Sequence, residues 1–276
     1  VALGVYALDE NTTADYNTAL GYAALTSNTT ASNNTAVGGA ALLLNTTGQD
    51  NTAVGTYALD ANTTASNNCA FGKSALSANS TGSENTALGT SALISNTTAD
   101  RNTAVGYQAS LSATTGVGNC SVGHKAGRNT TTGQYNVALG DQALESGTTG
   151  DKNIAIGGFA LHDSTTTEQN IAIGYNAMGA STTASRSVAI GYYALDAANT
   201  GARNTAIGWQ SMTANTSGAY NTGVGDATLE ANTTGDYNTA VGQGALSANT
   251  TASNNVAIGK DAMVANTTGD LNVAIG

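Results

Sequence analysis

Hydrophobic and polar positions recur along this chain at a strict interval of seventeen residues. In each copy a small residue and a larger apolar residue precede a glycine, as in Ala36-Val37-Gly38. That glycine recurs from Gly4 to Gly276, and no insertion or deletion interrupts the series. Self-similarity at a fixed period is the sequence signature of repeat proteins. The pattern therefore predicts one uninterrupted array of 17-residue repeats over residues 1–276.

The copy at residues 34–50 is used to number the repeat from one to seventeen. Its third position is Ala in all but two copies, and its fourth is Val, Ile, Leu or Phe. Its eighth is nearly always Ala, and its ninth is Leu or Met in fourteen of sixteen copies. The fifth position, always Gly, is predicted to form a corner where positive φ is often required. These structural glycines include Gly21, Gly38, Gly55, Gly72, Gly89 and Gly106.

The repeat predicts two short strands joined by tight corners. Thr/Val-Ala-Val/Ile/Leu has the β-branched composition of one strand, and Tyr-x-Ala-Leu is predicted to form a second. Asn-Thr-Thr-Gly opposes a continuing helix and supplies a corner. Each repeat then forms one coil, stacked on the next at about 4.8 Å. The expected fold is all-β, a parallel β-solenoid of sixteen coils and, because neither end carries a capping sequence, an excerpt of a longer fibre.

Residues on both sides of the predicted strands are apolar or small. Side chains alternate along a strand, so Val37 should point away from Ala36, and Leu42 away from Ala41. Strands with this composition on both faces are typical of sheets buried on two sides. A single two-stranded coil has only one interior face in which apolar side chains can be buried. We therefore expect the chain to self-associate in parallel as a symmetric homo-oligomer.

Composition and charge limit the classes of molecule that this chain could bind. The chain has 34 glycines, no proline, 9% charged residues and a net charge of −10. Without Lys/Arg clusters it lacks the groups that neutralise nucleic-acid phosphates or an anionic membrane surface. No apolar stretch approaches the roughly 20 residues of a membrane-spanning helix. We expect no nucleic-acid partner and no membrane insertion in this segment.

Three motifs of the array resemble a known family. Residues 187–191, 255–259 and 272–276 read Ser/Asn-Val-Ala-Ile-Gly, similar to YadA-like head repeats of trimeric autotransporter adhesins and to phage-type tail-fibre repeats. The resemblance implies a left-handed β-roll, three parallel chains around one axis, and a surface-exposed or extracellular role in adhesion or as a fibre shaft. Handedness and the homotrimer come from this resemblance alone.

Candidate chemistry is sparse. Cys69 and Cys120 lie three coils apart, about 14 Å, too far for a disulfide within one chain. His124 and His162 have no matching nucleophile and no evident carboxylate partner in the sequence. Acidic residues gather at the sixteenth position, where solvated corners are expected: Asp15, Asp100, Asp151, Asp236 and Asp270. We expect no catalytic residue, no metal site and no cofactor, and therefore no enzyme.

The sixth position carries aromatic residues next to the invariant glycine in five copies. They are Tyr22, Tyr107, Tyr175, Tyr192 and Trp209. Two interpretations remain open: packing over the neighbouring coil, or a broken aromatic strip that contacts a carbohydrate or a cell-surface receptor. A receptor site should concentrate such residues in a few coils. Variation spread along the chain instead favours a shaft.

The twelfth position is Asn within an N-x-S/T sequon in ten copies. These asparagines are Asn11, Asn28, Asn45, Asn62, Asn79, Asn96, Asn215, Asn232, Asn249 and Asn266. They could carry glycans on a glycan-coated filament, or form a turn whose amides stack in a ladder. We favour the ladder, because glycans about 4.8 Å apart would crowd. An ice-binding array is disfavoured, since adjacent threonines point in different directions.

Overall fold

Short parallel β-strands are the only regular elements of the computed structural model, which describes residues 1–276. The chain forms two compact units, Val1–Tyr135 and Asn136–Gly276. Within each unit, successive strands pair in parallel as the coils of a β-solenoid. The structure has no helix long and apolar enough to cross a membrane.

Seventeen strands, β1 to β17, are distributed over the two units. The first unit contains Ala2–Leu3, Thr18–Leu20, Thr35–Val37, Thr52–Val54, Cys69–Phe71, Thr86–Leu88, Thr103–Val105 and Cys120–Val122, which are β1 to β8. The second contains Val137–Leu139, Ile154–Ile156, Ile171–Ile173, Val188–Ile190, Thr205–Ile207, Thr222–Val224, Thr239–Val241, Val256–Ile258 and Val273–Ile275, which are β9 to β17. Each pairs in the register set by the seventeen-residue repeat.

The register between coils follows the repeat without a slip. Ala36 pairs with Ala53 in the first unit, and Ala172 pairs with Ala189 in the second. Like residues therefore stack on like residues up each unit. Because a one-residue slip would turn every side chain to the opposite face, the constant spacing of the buried alanines fixes this register.

The middle residue of each three-residue strand points into the coil and its two neighbours point outward. Ala36 is fully buried, whereas Thr35 and Val37 are half-buried. The predicted alternation of Ala36 and Val37 is confirmed. Alanine suits this inner position because it shares a compact core with the eighth and ninth positions of the repeat, such as Ala41 and Leu42.

The prediction of a second strand is wrong. The segment after the invariant glycine, residues 39–44 in one coil, is a tight turn. Ala40 and Leu42 have positive φ, 57° and 51°, which removes the strand alternation. Ala41 and Leu42 are therefore both fully buried rather than opposed. The turn is joined to the next coil by the Leu42 N–H, which donates to the Ala58 carbonyl at 3.0 Å.

The structure requires glycine at the invariant position for two reasons. Gly38 has φ of 133°, in a region that essentially only glycine occupies. A Cβ placed on it would lie 2.6 Å from the carbonyl carbon of Gly55 in the next coil. A side chain at this position would therefore push neighbouring coils apart.

Candidate functional site

An outward strip of strand residues carries partly exposed apolar side chains along each unit. This outer face consists of the first and third residues of the three-residue strands, such as Thr86 and Leu88 in β6. The third residue is aliphatic or Phe throughout and stays partly accessible: Leu88, Leu139 and Ile258 are 40%, 43% and 40% exposed. Contiguous apolar surface on a soluble chain usually marks an interaction site.

Two exposed rows flank the outer face. The leading row lies two residues before each strand, at the seventeenth position, and the trailing row lies two residues after it, at the sixth. The leading row contains Tyr16, Asn33, Asp50, Asn67, Glu84, Arg101 and Tyr135 in the first unit, and Lys152, Gln169, Arg186, Arg203, Tyr220, Tyr237, Asn254 and Leu271 in the second. The trailing row contains Val5, Tyr22, Thr56, Lys73, Thr90, Tyr107 and His124 in the first unit, and Asp141, Tyr175, Tyr192, Trp209, Asp226, Gln243 and Lys260 in the second.

The five aromatic residues predicted for surface contact all lie in the trailing row and are exposed. Tyr175 and Tyr192 stack across adjacent coils, with ring centroids 5.6 Å apart and planes 18° apart. Phe159 and Tyr193, one position further along, extend this pair into an aromatic cluster: Phe159 lies 5.7 Å from Tyr175, and Tyr193 lies 4.5 Å from Tyr192. Sequence reasoning missed Phe159 and Tyr193, although the seventeen-residue spacing places them beside the trailing row.

The leading row carries a second ladder that sequence reasoning missed. Tyr220 and Tyr237 stack at 4.8 Å with planes 12° apart. The Arg203 guanidinium lies 5.1 Å from the Tyr220 ring centroid and donates to the Tyr220 hydroxyl. The Arg186 Nε donates to the Gln169 side-chain oxygen at 3.2 Å. These contacts hold long side chains in order along the row.

The sequon asparagines face inward. Eight of the ten are fully buried, and Asn11 and Asn266 are half-buried. The Asn62 Nδ2 donates to the Asn45 Oδ1 at 2.8 Å and to the Ala65 carbonyl at 3.0 Å. A glycan would have to replace a hydrogen of this buried nitrogen, so the geometry of the folded coil favours the ladder.

A second asparagine row, at the first repeat position, is equally buried and was not predicted. The Asn51 N–H donates to the Asn34 Oδ1 at 3.0 Å, and its Nδ2 donates to the Ala65 carbonyl at 2.9 Å. Both rows thus tie the strand and the Asn-Thr-Thr corner together. The corner threonine is also engaged, because the Thr63 hydroxyl donates to the Ser80 carbonyl at 3.1 Å.

Cysteines and corner carboxylates lie at the surface of the coil. Cys69 and Cys120 are free and half-buried on the outer face, and burial raises the pKa of the Cys69 thiol. Corner carboxylates accept backbone hydrogen bonds from the preceding coil: Asp100 accepts from the Ser83 N–H and Asp236 from the Ala219 N–H, each at 2.7 Å. These carboxylates are therefore structural as well as solvated.

His162 has carboxylate partners, contrary to the sequence expectation. Its Nε2 lies 3.3 Å from a Glu145 oxygen and its Nδ1 lies 2.7 Å from an Asp163 oxygen. Glu145 occupies the same repeat position in the preceding coil, so the period could have identified it. Nearby, the half-buried Asp196 accepts from the Asn176 amide at 2.5 Å, while desolvation raises its pKa.

No protein-family model and no curated protein matches this chain. The structure contains no group of three or more His, Cys, Asp or Glu side chains placed to hold a metal ion. The outer face, the leading row and the trailing row are therefore the features from which a function can be argued.

Proposed function

We propose that this chain is a structural repeat segment of an extracellular fibre or filament, which assembles through the outer faces of parallel copies. The half-exposed aliphatic row of the outer face supports the proposal. Polar side chains would suffice if this surface faced water, yet the third strand residue is apolar in every copy. The segment has no catalytic role in this proposal.

Covering the outer face contributes free energy that favours assembly. Full burial of one Val, Leu or Ile side chain contributes about 1.5–3 kcal/mol. Covering the exposed two-fifths of such a side chain gives roughly 0.6–1.2 kcal/mol for each coil. In the second unit four third strand residues, Leu139, Val241, Ile258 and Ile275, are exposed to at least about this extent, and together they contribute roughly 2–5 kcal/mol per copy.

The finer form of the proposal is a homotrimer of left-handed coils at a cell or virion surface. The resemblance of Ser187-Val188-Ala189-Ile190-Gly191 to YadA-like head motifs supports the number three, the handedness and the location. The outer face supports association itself.

Charged substitutions on the outer face test the proposal. Ile156 and Ile173 are adjacent third strand residues in β10 and β11, and we expect Ile156→Lys with Ile173→Lys to dissociate the assembly. Lysine stems lie along apolar surface with their ammonium groups in water, so the folded copy should persist. The matched control is Thr166→Lys with Thr183→Lys, at exposed corner positions of the same two repeats.

Light scattering after size exclusion measures the outcome, with circular dichroism as the check on folding. The wild-type chain and the control pair should elute as a multiple of 27.2 kDa, and the outer-face variant as a single copy. A wild-type chain that stays monomeric at all accessible concentrations would contradict self-assembly.

An adhesive head that binds a carbohydrate or receptor is the second candidate function. The aromatic cluster of the second unit favours it, because Tyr175, Tyr192 and their neighbours concentrate exposed rings in a few coils. Replacing Tyr175 with Ala should abolish retention on immobilised carbohydrate or host cells if these rings are the contact. Unchanged retention would remove this candidate.

A glycan-coated filament is the remaining alternative. Material purified from its native source should have the mass of its sequence if the twelfth-position asparagines act only as a ladder. A mass excess made of hexose units that peptide mapping assigns to Asn62 and its equivalents would support glycan attachment and contradict their buried placement.

A further inference from the structure

We infer that copies of this chain meet through two different edges, with the leading row of one copy packed against the trailing row of the next. This inference rests on the proposed self-assembly and specifies its geometry. The occupant of each edge is a second copy of the chain. The argument comes from how the two rows match within each coil.

Every arginine of the leading row is matched by an aromatic residue of the trailing row in the same coil. The three pairs are Arg101 with Tyr107, Arg186 with Tyr192, and Arg203 with Trp209. Only five of the trailing-row positions are aromatic, so random placement would match fewer than half of the arginines. A guanidinium over an aromatic ring is a favourable contact, and arginine is the cation most often found in it.

Some other coils also place complementary groups on their two rows. Tyr220 in the leading row is matched by Asp226 in the trailing row, a phenol donor with a carboxylate acceptor. Asn67 is matched by Lys73, an amide oxygen acceptor with an ammonium donor. No coil places two charges of the same sign on its two rows. A contact between rows therefore meets no like-charge repulsion along its length.

Contacts within one copy do not account for this matching. The matched residues are six apart at opposite ends of an extended strand, roughly 15–20 Å at about 3.3 Å per residue. The Arg203 guanidinium lies over Tyr220 of its own row, not over Trp209. The complementarity is therefore available only to a neighbouring copy.

Parallel packing brings these two rows together. The outer face lies between them, and when parallel copies bring their outer faces around a common axis, the leading edge of one adjoins the trailing edge of the next. Such a contact joins unlike surfaces, whereas antiparallel face-to-face packing would set leading row against leading row. The row matching thus favours a parallel arrangement in register.

Cysteine cross-linking tests the edge contact. The background carries Cys69→Thr and Cys120→Thr, since threonine is common at this strand position. Three variants follow on it: Arg203→Cys, Trp209→Cys, and both together. The full-length assembled chain is oxidised with copper phenanthroline; a denaturing, non-reducing gel then detects covalent multimers, and non-denaturing mass measurement reports whether the chain is assembled. We expect covalent multimers only from the double variant.

Each outcome distinguishes the edge contact from assembly as such. Covalent dimers from Arg203→Cys alone would indicate leading-to-leading packing and overturn the inference. An oligomer in which no variant cross-links would overturn the edge contact while leaving outer-face assembly in place. A monomeric cysteine-free chain would remove the proposed function, and the edge contact with it.

An exchange variant gives an independent measurement. Arg203→Trp and Trp209→Arg should each weaken association between about two-fold and thirty-fold, from the strength of a cation–π contact. The double exchange should restore the wild-type association constant, because it re-creates the pair with its members reversed. Aromatic side chains already occupy the leading row at Tyr220 with φ of 59°. Additive losses in the double variant would contradict direct contact.

Discussion

The ninth repeat position provides a sharp test of the left-handed turn that replaces the predicted second strand. Leu59 is fully buried with φ of 50°, and its N–H donates to the Ala75 carbonyl at 3.0 Å. None of the residues with positive φ in this chain is Val, Ile or Thr, although threonine is among its commonest residues. Branching at Cβ makes this backbone region especially unfavourable. We therefore predict that Leu59→Ile is destabilising even though it removes no carbon atom.

The magnitude follows from the geometry. Isoleucine has the volume of leucine, so the change of shape alone should cost less than about 1.5 kcal/mol. Forcing a β-branched residue into this φ region adds on the order of 1–3 kcal/mol. The expected loss is therefore about 1–4.5 kcal/mol, the sum of the two terms. Leu59→Met is the matched control, because Met212 occupies the equivalent position with φ of 54°, and it should cost less than about 1.5 kcal/mol.

Urea unfolding followed by circular dichroism compares the two variants, and hydrogen exchange shows where the loss lies. Stability in repeat proteins is approximately a sum of coil and nearest-neighbour terms, so faster exchange should be confined to the coils around Leu59. The reasoning is refuted if Leu59→Ile is as stable as Leu59→Met, or if the loss is spread evenly along the chain.

Three further predictions concern the ladder, the invariant glycine and pH. Asn62→Ala should cost roughly 2–5 kcal/mol in urea unfolding through broken buried hydrogen bonds, whereas Asn129→Ala, half-buried at a position where Ala is common, should stay within about 0.5 kcal/mol. Gly38→Ala should lower the free energy of unfolding by roughly 2–6 kcal/mol, because of backbone strain and overlap with the next coil. Gly39→Ala should be tolerated, because its Cβ meets nothing closer than 3.9 Å. Equal melting temperatures of the two variants would contradict this reasoning. Because its folded pKa is raised, Asp196 favours the folded state below its unfolded pKa and loses that contribution as pH rises through the folded value. The stability of Asp196→Asn relative to wild type should therefore increase with pH across that window, and a flat difference would contradict the shift.

The sequence predicts the repeat, the strand and its register because one packing problem recurs in every coil. Ala36 and Val37 alternate as a strand requires, and the burial of the structure agrees. Contacts between coils are less visible in a linear reading. The stacking of Tyr220 on Tyr237 and the approach of Glu145 to His162 become apparent only when residues seventeen apart are treated as neighbours.

The second strand was predicted wrongly because apolar composition does not report φ. Tyr-x-Ala-Leu is compatible with a strand, but Leu42 has φ of 51°. The sequence does carry a signal of the left-handed turn, because no β-branched residue occurs at the seventh, ninth or seventeenth position. The same exclusion explains why the core uses Leu and Met instead of Ile and Val.

Distances between spin labels on two copies test parallel, in-register assembly most directly. Cys69 and Cys120 lie on the outer face in β5 and β8, so Cys120→Thr and Cys69→Thr each leave one native attachment point. Our account predicts a short inter-copy distance in both labelled variants, because each strand adjoins its own equivalent in the neighbouring copy. The absence of dipolar coupling in both variants, or inter-copy distances of many coil spacings, would contradict it.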